Sequence, residues 1–276
     1  MTTLVVDVEA TCWPDEQPEL RGRQREISEI IEIGAVRLEG PELEPTGEYQ
    51  AFVQPIAYPE LSAFCMELTS IRQEDVDSAP PYPEAWARFA EWIGPDTAEV
   101  VMASWSAYDQ HLFVRQCREH GIEDEPGWSH IDLKAEFGRW IFGVAGVRKR
   151  FRLSAALDRA GIDVSGTAHR ALDDARNTAK LLRYIREPEH ACDLTKHALK
   201  VMAERDPRPT HIGHLRELLP DPKAWFPRVR HEALRMGLAA DLGGGRGLVL
   251  TAYGHQVLPA LQLDALGPPT DPEGAT

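Results

Sequence analysis

Short apolar runs rich in β-branched residues open the chain, and helical stripes follow. Thr3 to Val8 reads as a buried strand. Ile27 to Leu38, rich in Ile and Val, reads as a second strand that Gly40-Pro41 stops, and Tyr49 to Val53 as a third that Pro55 ends. Pro80-Pro81-Tyr82-Pro83 is a loop, after which Glu84 to Trp92 has helical spacing. Glu99 to Ala103 is another strand candidate, followed by helices over about 107–119, 152–160 and 170–185. Antiparallel strands first, then strands alternating with helices, predict an α/β domain built on a mixed sheet with helices around it.

Glu187-Pro188 marks a boundary, and the remaining 89 residues differ in character. They hold six of the ten histidines and predict helices at Leu194–Glu204, Ile212–Leu219 and Trp225–Met236. A hairpin of 238–242 with 248–250 across Gly243-Gly244-Gly245-Arg246-Gly247 comes next, then a last helix capped by Thr251. The expected organisation is therefore 1–187, a small, mainly α domain over 188–266, and a disordered Pro- and Gly-rich tail over 267–276.

The chain has 276 residues, enough for one or two domains, and 43% hydrophobic content is enough for a sizeable core. Cys12, Cys65, Cys117 and Cys192 form no CxxC pair, which argues against a zinc knuckle or redox motif and fits a reducing compartment. No basic-then-apolar leader opens the chain and no apolar run reaches spanning length, so a cytoplasmic protein without a membrane partner is expected. The net charge of −14, taken alone, argues against a nucleic-acid partner. Its distribution softens this: residues 148–187 carry ten basic and five acidic residues, opening with Arg148, Lys149, Arg150 and Arg152. That stretch suits a phosphate backbone, although a solvated surface turn accounts for the basic run equally well.

Candidate chemistry lies in three separated segments. Asp7 and Glu9 are two apart on a predicted strand, so both carboxylates face one side. Such a pair suits hard cations such as Mg²⁺ or Mn²⁺. Spacing alone is weak, since chance gives about 7 acid-x-acid pairs at this composition. Position is stronger: charge at the end of an apolar strand costs desolvation energy unless something compensates it. Asp109 opens a helix and shares a face with Leu112, Phe113 and Gln116, while Ser106-x-x-Asp109 also has the form of a capping box. In the third segment, Ala171, Ala175, Thr178, Ala179 and Leu182 form a buried stripe. Asp174 falls at the edge of that stripe, whereas Asp173 points away and is either solvated or a support for its neighbours. His169 precedes this helix on a loop. Four carboxylates and a histidine together suit two-metal phosphodiester hydrolysis, with His169 as general base.

These motifs resemble those of the DEDDh family of 3′-to-5′ exonucleases, within the ribonuclease H-like fold. Asp7-Val8-Glu9-Ala10-Thr11-Cys12, Phe64-Cys65-Met66-Glu67-Leu68-Thr69-Ser70-Ile71 and Asp173-Asp174 are most similar to its histone-mRNA and small-RNA 3′-exoribonuclease branch. The resemblance covers about residues 1–187. It implies Asp7, Glu9, Asp109 and Asp174 as ligands of two divalent ions, and His169 as the base. It also implies Ala10, Thr11, Cys12 and Trp13 beside the terminal nucleotide and Leu68 under a base. The implied partner is a single-stranded RNA or DNA 3′ end; the sequence leaves RNA and DNA open, because one contact to a 2′-hydroxyl is enough to tell them apart. A nucleic-acid-binding regulator with an inactive nuclease fold is the alternative. The C-terminal part resembles a winged-helix module, with Trp225–Met236 as recognition helix near Lys223, Arg228, Arg230 and Arg235. Contact with nucleic acid there, or protein packing and dimerisation, are both compatible with its near-neutral charge.

Overall fold

The computed structural model describes residues 2–94, 100–122, 128–142, 151–187, 193–206, 208–217, 219, 222–243 and 246–261. Arg148, Lys149, Arg150, Pro188, Cys192, Gly244, Gly245 and the 267–276 tail lie outside them, as do the side chains of Lys223, Arg228 and Arg235. Contacts divide the chain into two compact units: Met1–Leu133 with Arg152–Leu181, and Lys134–Phe151 with Leu182–Thr276.

The first unit is built on a five-stranded mixed sheet in the order β3-β2-β1-β4-β5. Strands β1 (Thr2–Ala10), β2 (Ile30–Glu39) and β3 (Glu44–Phe52) form the antiparallel half, while β4 (Val100–Ser104) and β5 (Ser129–Asp132) run parallel to β1. The helices are α1 (Pro18–Ile27), α2 (Ala63–Thr69), α3 (Gln73–Asp77), α4 (Tyr82–Ile93), α5 (Ala107–Glu119), α7 (Leu153–Ala160) and the start of α8 (Ala171–Arg186), with α6 (Leu133–Phe142) falling almost wholly in the second unit. The mixed α/β sheet flanked by helices is the architecture the sequence predicts. Helices α1, α2, α3 and α6 and strand β5 are additional to that prediction. The segment 27–29, expected to begin the second strand, instead closes α1, whose last turn takes the Ser28 N–H on Gln24 O at 3.0 Å.

The two-residue period of β1 divides its side chains. Leu4, Val6 and Val8 join Tyr82, Ala85, Trp86 and Phe89 of α4 and Leu112, Phe113 and Cys117 of α5 in one buried cluster. Val5, Asp7 and Glu9 belong to the other face. There α8 crosses β2 at Gly34, which stands opposite Asp7 in the register. A Cβ on Gly34 would lie 2.1 Å from the Ala171 carbonyl carbon and 2.1 Å from the Leu172 nitrogen, so only glycine admits the first turn of α8 to this depth.

The second unit is mainly helical. It contains α6, the end of α8, α9 (Asp193–Arg205), α10 (Ile212–Glu217), α11 (Pro222–Arg235), the antiparallel pair β6 (Ala239–Asp241) and β7 (Leu248–Leu250), α12 (Ala252–Val257) and a 3-10 turn at Leu258–Leu261. Thr251 caps α12 by accepting the Gly254 N–H at 2.9 Å. Glu136 of α6 meets His231 of α11 at 2.8 Å within this unit, so residues between β5 and α7 are part of its construction. Among the described residues no helix is long and apolar enough to cross a membrane.

Candidate active site

Three chain segments converge at the end of β1. A β-bulge starts the site: the register passes from Glu9↔Glu32 to Ala10↔Ile30, leaving Ile31 as the extra residue. Around it, Gln116 Oε1 accepts the Ile30 N–H at 2.7 Å and Ile31 O accepts the Val53 N–H at 2.9 Å. The chain beyond Glu9 is tied to the segment before β2, Thr11 N–H donating to Glu29 O and Glu29 N–H to Thr11 Oγ1, both at 2.9 Å.

Asp109 is buried in the first turn of α5, on the face it shares with Leu112, Phe113 and Gln116, as predicted. Ser106 caps the helix by accepting the Tyr108 N–H at 3.3 Å. The Asp109 carboxylate turns to β1 and accepts the Val8 N–H at 3.3 Å. The α8 stripe is buried throughout, and Asp174 sits half-buried at its edge. Its Oδ2 accepts the His169 N–H at 3.0 Å, which holds the histidine over the start of the helix. Donor atoms of Glu9, His169 and Asp174 all lie within 4.8 Å of one another, an arrangement able to hold a cation.

The carboxylates influence one another strongly. Burial pushes the Asp7 carboxyl well above the ordinary carboxylate range, and Asp109, Glu9, Asp174 and Glu32 add to the effect. Burial also raises Glu9, reinforced by Asp174, Glu32 and Asp109. Asp174 is raised by burial against the opposing pull of the His169 N–H. Crowded acids with no equivalent positive charge among themselves form a donor set that fits divalent cations, since such ions prefer oxygen ligands and cancel the repulsion.

Of the residues expected near a nucleotide, Ala10 is half-buried at the end of β1, while Thr11, Cys12 and Trp13 turn their side chains inward. Trp13 packs edge-on against Tyr58 with ring centroids 5.0 Å apart. Leu68, on α2, is 37% exposed and so presents apolar surface. Helix α2 is fastened to the segment after Glu9 by Ser62, whose hydroxyl donates to Cys12 O at 2.6 Å and accepts the Cys65 N–H at 3.0 Å. The Cys12 thiol is pushed far up by its hydrogen bond with Cys65 and by burial, which keeps it protonated and unfit as a nucleophile.

Asp173 is engaged rather than solvated. It accepts the Thr167 N–H at 2.9 Å and pairs with Arg176 at 2.9 Å, bracing the loop before α8. Two residues that sequence reasoning missed complete the site. One is Gly34. The other is Glu32, fully buried on β2 beside Glu9, where Arg170 Nη2 meets Oε1 at 2.9 Å and Arg170 Nε meets Oε2 at 3.2 Å. An acid in the middle of an Ile-rich strand, two residues after Ile30, is the signal that was available for it.

A family model described as Exonuclease, RNase_T, matches residues 4–182. The mouse protein ERI1 exoribonuclease 2 is 34% identical over 227 residues, covering 74% of this chain and 31% of the relative. Human 3′-5′ exoribonuclease 1 is 28% identical over 197 residues, covering 69% of this chain and 53% of the relative. The chain therefore spans only part of the length of these relatives. Among solved structures, the nuclease domain of 3′hExo, a DEDDh family member bound to rAMP, aligns with a TM-score of 0.57 at 25% identity, covering 67% of this chain and 90% of that one.

Proposed function

The chain belongs to the RNase_T family of exonucleases, and from that premise we propose that it is a 3′-to-5′ exonuclease releasing nucleoside 5′-monophosphates from single-stranded 3′ ends. The observation that carries the reading is the meeting of Asp7, Glu9, Asp109, Asp174 and His169, from three distant segments, around carboxyls that burial and mutual repulsion push upward. Asp7, Glu9, Asp109 and Asp174 would hold two divalent ions, Mg²⁺ or Mn²⁺. When bound, such ions supply Lewis-acid polarisation of the phosphate and stabilise the attacking and leaving oxygens. His169, exposed at the mouth of the site, takes the proton of the attacking water. Its backbone bond to Asp174 leaves both ring nitrogens free of that task. Leu68 and the segment Ala10 to Trp13 would bound the terminal nucleotide.

The names of the relatives favour RNA as substrate, and DNA is the competing outcome. Residues 188–266 we read as a winged-helix-like accessory module with α11 as its recognition helix; the order α9, α10, α11 followed by the β6–β7 pair supports this. A reducing compartment, the cytoplasm, suits the buried free thiols of Cys12, Cys65 and Cys117.

The test is digestion of matched 5′-labelled RNA and DNA oligonucleotides with Mg²⁺ and with Mn²⁺. The expected result is stepwise shortening from the 3′ end, stopped by EDTA and absent in Asp7→Ala. Cleavage that persists in chelator would overturn the two-metal reading, and retarded oligonucleotide without cleavage under Mn²⁺ would favour a binding regulator.

A further inference from the structure

Glu32 has no place in the proposed cation site, yet it is fully buried and stands in direct register with Glu9. A like charge next to a cluster of acids works against the fold unless something else is gained. Its hydrogen bonds show where it is committed. Oε1 accepts from Arg170 Nη2 at 2.9 Å and from Gln50 Nε2 at 2.6 Å; Oε2 accepts from Arg170 Nε at 3.2 Å and from the Ala171 N–H at 3.0 Å. Two donors on each oxygen use the acceptor capacity of a carboxylate, which leaves Glu32 poorly suited to ligate an ion. The Arg170 guanidinium also lies 5.4 Å from the Phe52 ring centroid, a second hold on the same side chain.

His169, next to Arg170, has φ +60, a left-handed conformation that a non-glycine residue keeps only where its surroundings over-determine it. The chain on its N-terminal side is held by Asp173 through the Thr167 N–H, and its own N–H is held by Asp174. The C-terminal side is held by Glu32, through the Arg170 side chain and the first N–H of α8. We infer that Glu32 and Arg170 are positioning residues: their two-point ion pair, buried at Glu32 and partly exposed at Arg170, fixes the backbone at His169 and so aims its imidazole at the reacting phosphate. The inference rests on the exonuclease reading for the role of His169, and on geometry alone for its placement.

The experiment uses the full chain and the variants Glu32→Gln, Arg170→Gln, Arg170→Lys and the double glutamine variant, with kcat and KM measured on a 3′-terminal RNA oligonucleotide. A displaced general base costs turnover rather than binding, so kcat in Glu32→Gln and Arg170→Gln is expected to fall about ten- to a hundredfold while KM stays within about threefold. The double variant is expected to be no worse than the poorer single one, because the two residues do one job. Arg170→Lys, which keeps charge but not the two-point grip, is expected to fall between. Imidazole NMR of the metal-free protein reads the placement without activity: Glu32→Gln is expected to shift the His169 ring signals, identified by their loss in His169→Ala. If Glu32→Gln does not fold, Arg170→Gln carries both measurements, since that side chain is partly exposed. Wild-type kcat in the folded variants, multiplicative losses in the double, or restoration by excess Mn²⁺ would overturn the inference, the last by making Glu32 a cation ligand. Unmoved His169 signals would overturn it even if the wild type proved inactive, an outcome that would by itself defeat only the exonuclease reading.

Discussion

Asp173 and Asp174 are neighbours in sequence and differ in duty because a helix turns about 100° between them. Asp174 looks along the buried stripe to Glu9 and His169, and Asp173 braces the loop through Thr167 and Arg176. Asp174→Ala is therefore expected to abolish exonuclease activity. Asp173→Ala is expected to keep measurable activity while lowering stability by about 1 kcal/mol, the net worth of an exposed hydrogen bond and a partly exposed ion pair; equal activity losses at both positions would refute the distinction. The site acids also make a pH prediction. Asp7, Glu9 and Asp174 have folded-state pKa values raised above their unfolded ones, so the folded chain binds protons more tightly between the two. Stability of the metal-free protein must then fall as pH rises from the ordinary carboxylate range through the raised values. Thermal melts in chelator are expected to show a Tm that declines as pH rises above the ordinary carboxylate range, with Asp7→Asn flattening the slope and Mg²⁺ lifting Tm at the alkaline end. A flat wild-type profile would mean that the repulsion is relieved in some other way.

At the level of elements, two contacts decide whether the segments meet. The bulge at the end of β1, with Gln116 covering the freed Ile30 N–H, redirects the chain after Glu9. The approach of α8 to Gly34 brings Asp174 and His169 to the same place. Gly34→Ala would drive a methyl group into the backbone of Ala171 and Leu172, and backbone cannot rotate aside as a side chain does. This substitution is expected to cost about 1–3 kcal/mol in denaturant unfolding and to reduce turnover of the folded fraction; turnover equal to wild type would show that α8 does not depend on this contact. Elements with a buried periodic face were legible beforehand: α5 and α8 and the C-terminal helices fall within a few residues of their predicted spans. Two of those missed, α1 and β5, lack such a face. Helix α1 has no buried residue, and β5 buries only Ile131, so neither writes its period into the sequence.

For the molecule as a whole, the charge of −14 is less of an obstacle than its sum suggests. Some of the acid lies in the cluster that divalent cations would neutralise, and Glu32 and Glu48 are paired with Arg170 and Arg176. The compact units cut across chain order, since α6 groups with residues beyond 181 and meets α11 through Glu136 and His231. A chain ending at Glu187 would strip α6 of that partner, and it is expected to melt below the full-length protein in calorimetry. An unchanged Tm would show that α6 is held by the first unit.

Composition and periodicity alone determined the α/β class, the strand face carrying Asp7 and Glu9, and the helix edge carrying Asp174. Each of these depends only on residues a few positions apart and on the fixed repeat of strand or helix. The tertiary structure decided what depends on distant partners: the close approach at Gly34, the left-handed turn at His169, the allotment of α6, and the commitment of Glu32 to Arg170, 138 residues away. A buried carboxylate reads alike in sequence whether it grips a cation or an arginine, and only the position of its donors tells the two apart.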